Sequence, residues 1–229
     1  MRSLTVLEYL RHFTGTVLLA VGALLPIVNP LGGAPIYLAM TSDLKPERRG
    51  AMAKAVALNS FLLLIASTFV GAYVLDFFGL SIPAVQVAGG IVVCGIAWAL
   101  LNNPNSPATM SRTTLAENEA GQDAFYPLTM PLTVGPGSIS VALTLGANPE
   151  QGMRPLVVTT LAHLLGMLFV AVSIYLCYRY ADRILEKVGS TGTAVVVRLS
   201  AFILLCIGVQ ISWNGIHALL ASAFPAAIP

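Results

Sequence analysis

The chain of 229 residues is 56% hydrophobic and 10% charged, and its net charge at neutral pH is +2. Soluble domains carry about 25% charged residues, so this composition excludes an ordinary soluble fold and predicts a multi-pass protein that lies in a lipid bilayer. The basic residues fall between apolar runs and form no continuous face, which excludes nucleic acid as a partner. Cys94, Cys177 and Cys206 lie inside apolar runs, so neither a disulfide framework nor a cysteine-rich metal site is predicted.

Six apolar runs reach about the 20 residues needed to cross a bilayer. The predicted spans are residues 13–42, 55–75, 80–101, 125–147, 155–178 and 195–220. Residues 102–124 are polar, with the sequence NNPNSP and three acidic residues, and are predicted to be a cytoplasmic linker. The sequence therefore predicts one all-α transmembrane domain, with a three-helix repeat in residues 1–101 and a second in residues 125–229.

Prolines and glycines interrupt spans one and four at matching positions. Residues 26–37 read PIVNPLGGAPIY, and residues 127–138 read PLTMPLTVGPGS. Three prolines recur at an offset of 101 residues: Pro26, Pro30 and Pro35 in the first segment, and Pro127, Pro131 and Pro136 in the second. Each proline removes a backbone N–H, and irregular backbone at membrane depth is stable only inside protein or beside a cavity. Both spans are therefore predicted to be interrupted helices, the second restarting near Gly137 or Ser138.

The number of spans in each repeat predicts how the repeats are related. Three is odd, so the second repeat is predicted to enter the membrane inverted relative to the first. Spans three and six fit this pairing, because Cys94 and Cys206 end similar apolar stretches 112 residues apart. Inverted repeats with interrupted helices in matching positions are typical of secondary transporters, whose substrate site lies near the bilayer midplane.

Lysine and arginine are unequally divided between the two sides of the membrane. One side has nine of them, Lys45, Arg48, Arg49, Lys54, Arg112, Arg179, Arg183, Lys187 and Arg198, and the other has Arg2, Arg11 and Arg154. Basic loops face the cytoplasm, so both termini are predicted to be extracytoplasmic. No small-residue cleavage site follows the first basic residues, so no signal peptide is predicted.

The two interrupted segments supply the candidate substrate site. Helix N-termini favour anions, so the amides at each restart are expected to hold a carboxylate, and carbonyls freed by the prolines to hold an ammonium group. The candidate residues are Asn29, Pro30, Gly32 and Gly33 in span one, and Thr129, Thr133, Gly135, Pro136, Gly137 and Ser138 in span four. Each of these residue types also has a structural alternative. The prolines and glycines would only allow close packing of kinked helices, and the Thr and Ser hydroxyls would only bond to the preceding turn. The Asn29 amide would only replace hydrogen bonds lost to proline.

Five further polar residues within the spans are secondary candidates. Gln210 and Asn214 share a helix face, where amides either join helices or face a pore. Gln86 and Arg198 occupy equivalent repeat positions, and an arginine near a helix end either extends to the interface or contacts substrate. His163 either changes charge near neutral pH or donates a packing hydrogen bond. The pattern predicts no metal site, no cofactor and no catalytic constellation, and hence no enzyme.

Four motifs follow one another along the chain: NPLGGAP at 29–35, FGLSIPAVQVAGG at 78–90, PLTMPLTVGPGSIS at 127–140 and GVQISWNGI at 208–216. Together they resemble the MarC family of six-span inner-membrane proteins. The resemblance implies a bacterial-type inner (cell) membrane location. It also implies, from the SnatA-type members, transport of a small neutral amino acid such as glycine or alanine with protons, with sodium open as the coupling ion.

Other functions stay open at this stage. They are a membrane scaffold or resistance accessory protein without a transport cycle, an exporter of another small metabolite, and a channel. A chain of 24.0 kDa with six spans is also compatible with a homo-oligomer.

Overall fold

The computed structural model describes residues 6–102, 124–147 and 156–224, and these residues form helices without any strand. In chain order the helices are α1 (Val6–Val28), α2 (Pro30–Met40), α3 (Pro46–Phe69), α4 (Gly71–Phe77), α5 (Ile82–Asn102), α6 (Ala124–Thr133), α7 (Pro136–Gly146), α8 (Leu156–Arg179) and α9 (Ala181–Ala223). The prediction of an all-α protein is confirmed. The predicted linker lies outside the described residues, apart from its two end positions.

The long helices have the length and composition of membrane spans. Within the described part of the chain five stretches meet this description: Glu8–Met40, Pro46–Phe69, Ile82–Asn102, Val157–Arg179 and Thr191–Ala223. The pair α6–α7 makes a sixth span if it is counted as one bent segment, and its two helices meet at 73°. The last helix begins earlier than the predicted span, because residues 181–188 form a helix that joins the span at Gly189, where φ is 72°.

The first interruption is one residue wide. Asn29 has φ 46° and ψ 61°, a left-handed conformation that asparagine tolerates better than most residues. Pro30 disfavours a right-handed helical conformation in the residue before it. The backbone hydrogen bonds resume at once, from the Asn29 N–H to Leu25 O at 2.9 Å and from the Gly33 N–H to Asn29 O at 3.0 Å. The two helices therefore continue as a single stretch of 33 residues.

The second interruption is wider. Tyr126 and Met130 have extended backbones within α6, the Met130–Pro131 peptide bond is cis, and Gly135 is extended before α7. The new helix begins at Pro136, slightly before the predicted restart at Gly137 or Ser138. Proline suits the first helical position, because its φ is fixed at a helical value and no N–H is needed there.

The buried core lies between α1–α2, α3, α6–α7 and α8. Its largest side chains include Leu24, Tyr37, Leu64, Met167 and Tyr178, and α5 contributes no residue to this cluster. α1 packs on α8 and α6–α7 on α3, while α2 packs on α9 and α7 on α5. The interrupted span of each half thus contacts the second and third spans of the other half.

Helices α5 and α9 pack closely along their length. A Cβ atom on Gly208 would lie 2.9 Å from the carbonyl oxygen of Gly90, and one on Gly215 would lie 2.6 Å from that of Pro83. Small residues allow membrane helices to approach this closely. The order of these contacts shows that the two helices run antiparallel, as spans three and six of inverted repeats must. The inverted relation of the complete repeats stays a prediction.

Candidate functional site

A cavity of about 630 Å³ lies between the two interrupted segments. Helices α5 and α9 complete its walls with apolar side chains and with Ser200. Eight of the ten predicted substrate-site residues line it: Asn29, Gly32, Gly33, Thr133, Gly135, Pro136, Gly137 and Ser138. The structure therefore brings both interruptions to one cavity.

The other two predicted residues do not line the cavity. Pro30 is buried in α2. Thr129 is fully buried, and its hydroxyl donates to the carbonyl oxygen of Ala124 at 2.7 Å. The widened turns of α6 place that carbonyl five residues back, within reach of the hydroxyl, so Thr129 follows the backbone-bonding alternative.

The N-terminus of α2 is capped by its own sequence. The Asn29 side-chain oxygen accepts from the Gly32 N–H at 3.2 Å. A Cβ atom on Gly32 would contact the Asn29 amide nitrogen and would lie 2.7 Å from Ser200 Cβ, so the site needs glycine. The Asn29 oxygen thus replaces a hydrogen bond lost at the break, while the residue itself still lines the cavity.

The N-terminus of α7 has no such cap. Gly135 is the capping residue and provides no side chain, and Pro136 has no N–H. The first α7 amide with a backbone partner is that of Ile139, which donates to Gly135 O at 3.1 Å. The N–H groups of Gly137 and Ser138 precede it and have no partner within the helix. This restart therefore leaves N–H donors open, whereas the restart of α2 has its own cap.

Carbonyl groups are freed at the end of α1, on the other side of the cavity. Pro30 has no N–H for the carbonyl of Pro26, and the Gly32 N–H is bonded to Asn29 rather than to the carbonyl of Val28. Val28 lines the cavity, as does Ile27. The C-terminal end of a helix carries a partial negative charge, so this wall favours a cation.

A polar network extends from the cavity towards the α2–α3 turn. The Thr133 hydroxyl donates to Leu128 O at 2.7 Å and lies 3.0 Å from the Tyr178 hydroxyl. The rings of Tyr37 and Tyr178 are stacked with centroids 4.4 Å apart. The Tyr37 hydroxyl donates to the carbonyl oxygen of Arg49 at 2.6 Å. Thr133 is therefore both a wall residue and a structural anchor.

The network ends in an ion pair between Arg49 and Asp182, with Nη1–Oδ distances of 2.7 and 2.8 Å. Arg49 also donates to the carbonyl oxygens of Thr41 and Leu44, both at 3.2 Å. These bonds join the α2–α3 turn to the first turn of α9. Through the Tyr37 hydroxyl they are connected to the stacked tyrosine pair.

The sequence did not predict this network. Tyr37 carried a signal, because it ends the first repeated segment at the position equivalent to Ser138. Tyr178, Asp182 and Ser200 carried none, since their roles depend on partners far away in the chain. Within the described residues, no group of three or more His, Cys, Asp or Glu side chains is placed to hold a metal ion.

Residues 14–220 match the model of the MarC family integral membrane proteins. The chain belongs to the MarC family. The inner membrane protein MarC of Salmonella arizonae is 32% identical over 199 residues, which cover 84% of this chain and 90% of that protein. The proteins of the same name from Salmonella typhimurium and Escherichia coli O1:K1 are each 31% identical with the same coverage. No solved structure matches the chain.

None of the five secondary candidates lines the cavity of this MarC-family protein. The Gln86 amide nitrogen donates to the Thr144 hydroxyl at 2.9 Å, joining α5 to α7. His163 is 3% exposed within α8, and Arg198 is exposed on α9. Gln210 and Asn214 share a face, as predicted, and are bonded to each other at 2.8 Å, but this face points away from the molecule.

Proposed function

We propose that this MarC-family protein is a secondary transporter that binds a small neutral amino acid between the α1–α2 break and the α6–α7 bend. The observation that carries the proposal is the pairing of an uncapped helix N-terminus with freed carbonyl groups on one cavity. An amino acid presents a carboxylate and an ammonium group a few ångströms apart, and these two walls complement them.

The carboxylate is assigned to the N-terminus of α7. The Gly137 and Ser138 amides donate there, and the Ser138 hydroxyl adds a third donor at a position that is 2% exposed and lines the cavity. A helix N-terminus stabilises an anion by about 0.3–1 kcal/mol at an exposed site and by up to about 2 kcal/mol in partly buried geometry. Hydrogen bonds to a charged group add about 1.5–3 kcal/mol each.

The ammonium group is assigned to the end of α1, where the carbonyl of Val28 is free. In the described part of the chain no charged side chain lines the cavity. A substrate with net charge would therefore lie unpaired in a low-dielectric site, which is unfavourable by several kcal/mol. A neutral zwitterion is favoured over acidic and basic amino acids.

Alternating access supplies the transport cycle in this proposal. The Arg49–Asp182 pair and the stacked tyrosines are proposed as the closed gate of this cycle, on the cytoplasmic side if both termini are extracytoplasmic. Coupling to a proton or a sodium ion is part of the proposal. The described lining contains no carboxylate or histidine that could carry a proton. The proton is therefore assigned to a residue outside the lining, His163, which is buried in α8.

Uptake by purified protein in liposomes tests the assignment of the site. Ser138→Ala should lower the apparent affinity for labelled glycine or alanine about tenfold or more, because one hydrogen bond to the carboxylate is lost. Ser140→Ala is the matched control: Ser140 lies two residues further along α7, is fully buried, and does not line the cavity. Equal effects of the two substitutions would refute the carboxylate site, and no uptake by the unmodified protein would favour the scaffold alternative.

A further inference from the structure

Helix α9 carries a polar stripe on its outer surface. Gln210, Asn214 and His217 are all exposed. Spacings of four and three residues place them on one helix face. The Gln210 amide nitrogen donates to the Asn214 side-chain oxygen at 2.8 Å. The buried residues of α9 at these levels, Ile211 and Gly215, lie about 100° round the helix from Gln210 and Asn214 respectively.

The packing of α9 on α5 sets the depth of this stripe. Pro83 is level with Gly215 and Gly90 with Gly208. The 21 residues of α5 extend about 31 Å, which matches a hydrocarbon core of about 30 Å. Gln210 is level with residues 88–90 of α5, so it lies about 10 Å inside the core. His217 lies near the boundary of the core.

The single hydrogen bond between the two amides leaves most of their polar atoms without a partner. Gln210 retains its carbonyl oxygen and one N–H, and Asn214 retains both N–H groups. Hydroxyl groups at such depth can bond to their own helix, as Ser173 does with the carbonyl oxygen of Phe169 at 2.9 Å. Two amides cannot satisfy all their donors in this way, and Asn and Gln side chains within spans form hydrogen bonds across helix–helix interfaces.

This side of the molecule is also the least covered. In the most apolar stretch of each span, 22% of α5 and of α9 is buried within the chain, against 44% of α3 and of α8. The core cluster includes no residue of α5. An additional helix can therefore pack against α9 without displacing any part of the fold.

We propose that the polar stripe of α9, with Cys206 and Trp213 beside it, is the interface at which two copies of this chain pair around a two-fold axis normal to the membrane. A second copy presents the same amides at the same depth by necessity. Amides are self-complementary, since each carries both donors and acceptors, and a two-fold interface places the same patch on both partners. The proposal is independent of the transported substrate.

Cys206 provides a native probe of this interface. It is exposed and lies one helical turn before Gln210 on the same side of α9. The two-fold axis brings the two Cys206 side chains together. Cys94 faces α9 from within the same chain, with its sulfur 3.8 Å from Leu205 O, and Cys177 lies on α8.

Cross-linking in native membranes tests the pairing. A variant that retains only Cys206 should form a covalent dimer with a short bis-maleimide, and a variant that retains only Cys177 should not. Gln210→Leu with Asn214→Leu should lower the dimer yield of the Cys206 variant at least tenfold, whereas Ser173→Ala should leave it unchanged. Absence of the Cys206 dimer, an adduct of another mass, or full yield in the double variant would each overturn the proposal.

Single-molecule photobleaching of labelled protein in liposomes provides a readout that does not depend on cysteine reactivity. The unmodified chain should bleach in two steps at dilute protein-to-lipid ratios, and the double variant mainly in one. One-step bleaching of the unmodified chain would overturn the proposal. Two-step bleaching that persists in the double variant would also do so, because the pair would then form through a different face.

Discussion

Asn29 combines two tasks that few residue types can perform at once. Its backbone adopts the left-handed conformation that separates α1 from α2, and its side chain caps the new helix at the Gly32 N–H. Its carbonyl oxygen still accepts from Gly33, so the helix continues with little change. The break therefore frees carbonyl groups beside the cavity without adding a second open N-terminus.

Substitution of Asn29 should separate these two tasks. Asn29→Ala loses the cap, which contributes about 0.5–2 kcal/mol. It also loses the short polar side chain that lets asparagine adopt the left-handed conformation, which is unfavourable for alanine by roughly 1–2 kcal/mol. Asn29→Gly adopts the conformation freely and loses only a few tenths of a kcal/mol as a cap. Thermal unfolding in detergent should therefore show a clearly larger decrease in Tm for alanine than for glycine. An equal decrease would indicate that the backbone conformation contributes nothing.

The two interruptions are different structural elements, although their prolines have the same spacing. The first is a single residue within a 33-residue stretch, whereas the second combines widened turns with a bend of 73°. The difference follows from local chemistry, because the first segment has an asparagine to cap its restart and the second has Gly135. Only the second leaves helix amides open to the cavity.

The Arg49–Asp182 contact joins the α2–α3 turn to α9, and Arg49 is predicted to contribute more to stability than Asp182. Asp182 is 47% exposed, and an exposed ion pair contributes at most about 1 kcal/mol. Arg49 is 13% exposed and also bonds two turn carbonyls, whose loss is unfavourable by about 1–3 kcal/mol.

Thermal unfolding should therefore show a larger decrease in Tm for Arg49→Ala than for Asp182→Ala. High salt should remove most of the Asp182→Ala effect but only the ion-pair part of the Arg49→Ala effect. Arg49→Lys is the control that retains the charge but not the forked geometry. The Tm of Arg49→Lys should be closer to that of Arg49→Ala than to that of the unmodified protein. Equal effects of the two alanine substitutions would assign the stabilisation to the ion pair alone.

At the scale of the whole molecule, the sequence predicted features that depend on local composition. Apolar runs located the spans, and proline spacing located both interruptions and eight residues of one cavity. It did not predict the Thr133–Tyr178 hydrogen bond or the Arg49–Asp182 pair, because these join residues 45 and 133 positions apart. The cap at Asn29 was one of two readings, and only the three-dimensional arrangement of Asn29 and Gly32 distinguishes them.

The central claim is that the cavity recognises both charges of a zwitterion. The most direct measurement is the thermal stability of the purified protein in the presence of glycine, alanine or serine, compared with propionate, which lacks the amine, and ethylamine, which lacks the carboxylate. A ligand at 100 times its Kd stabilises the native state by about 2.7 kcal/mol, so a small amino acid should raise Tm and neither analogue should. A rise with either analogue equal to that with alanine, or no rise with any amino acid, would contradict the account.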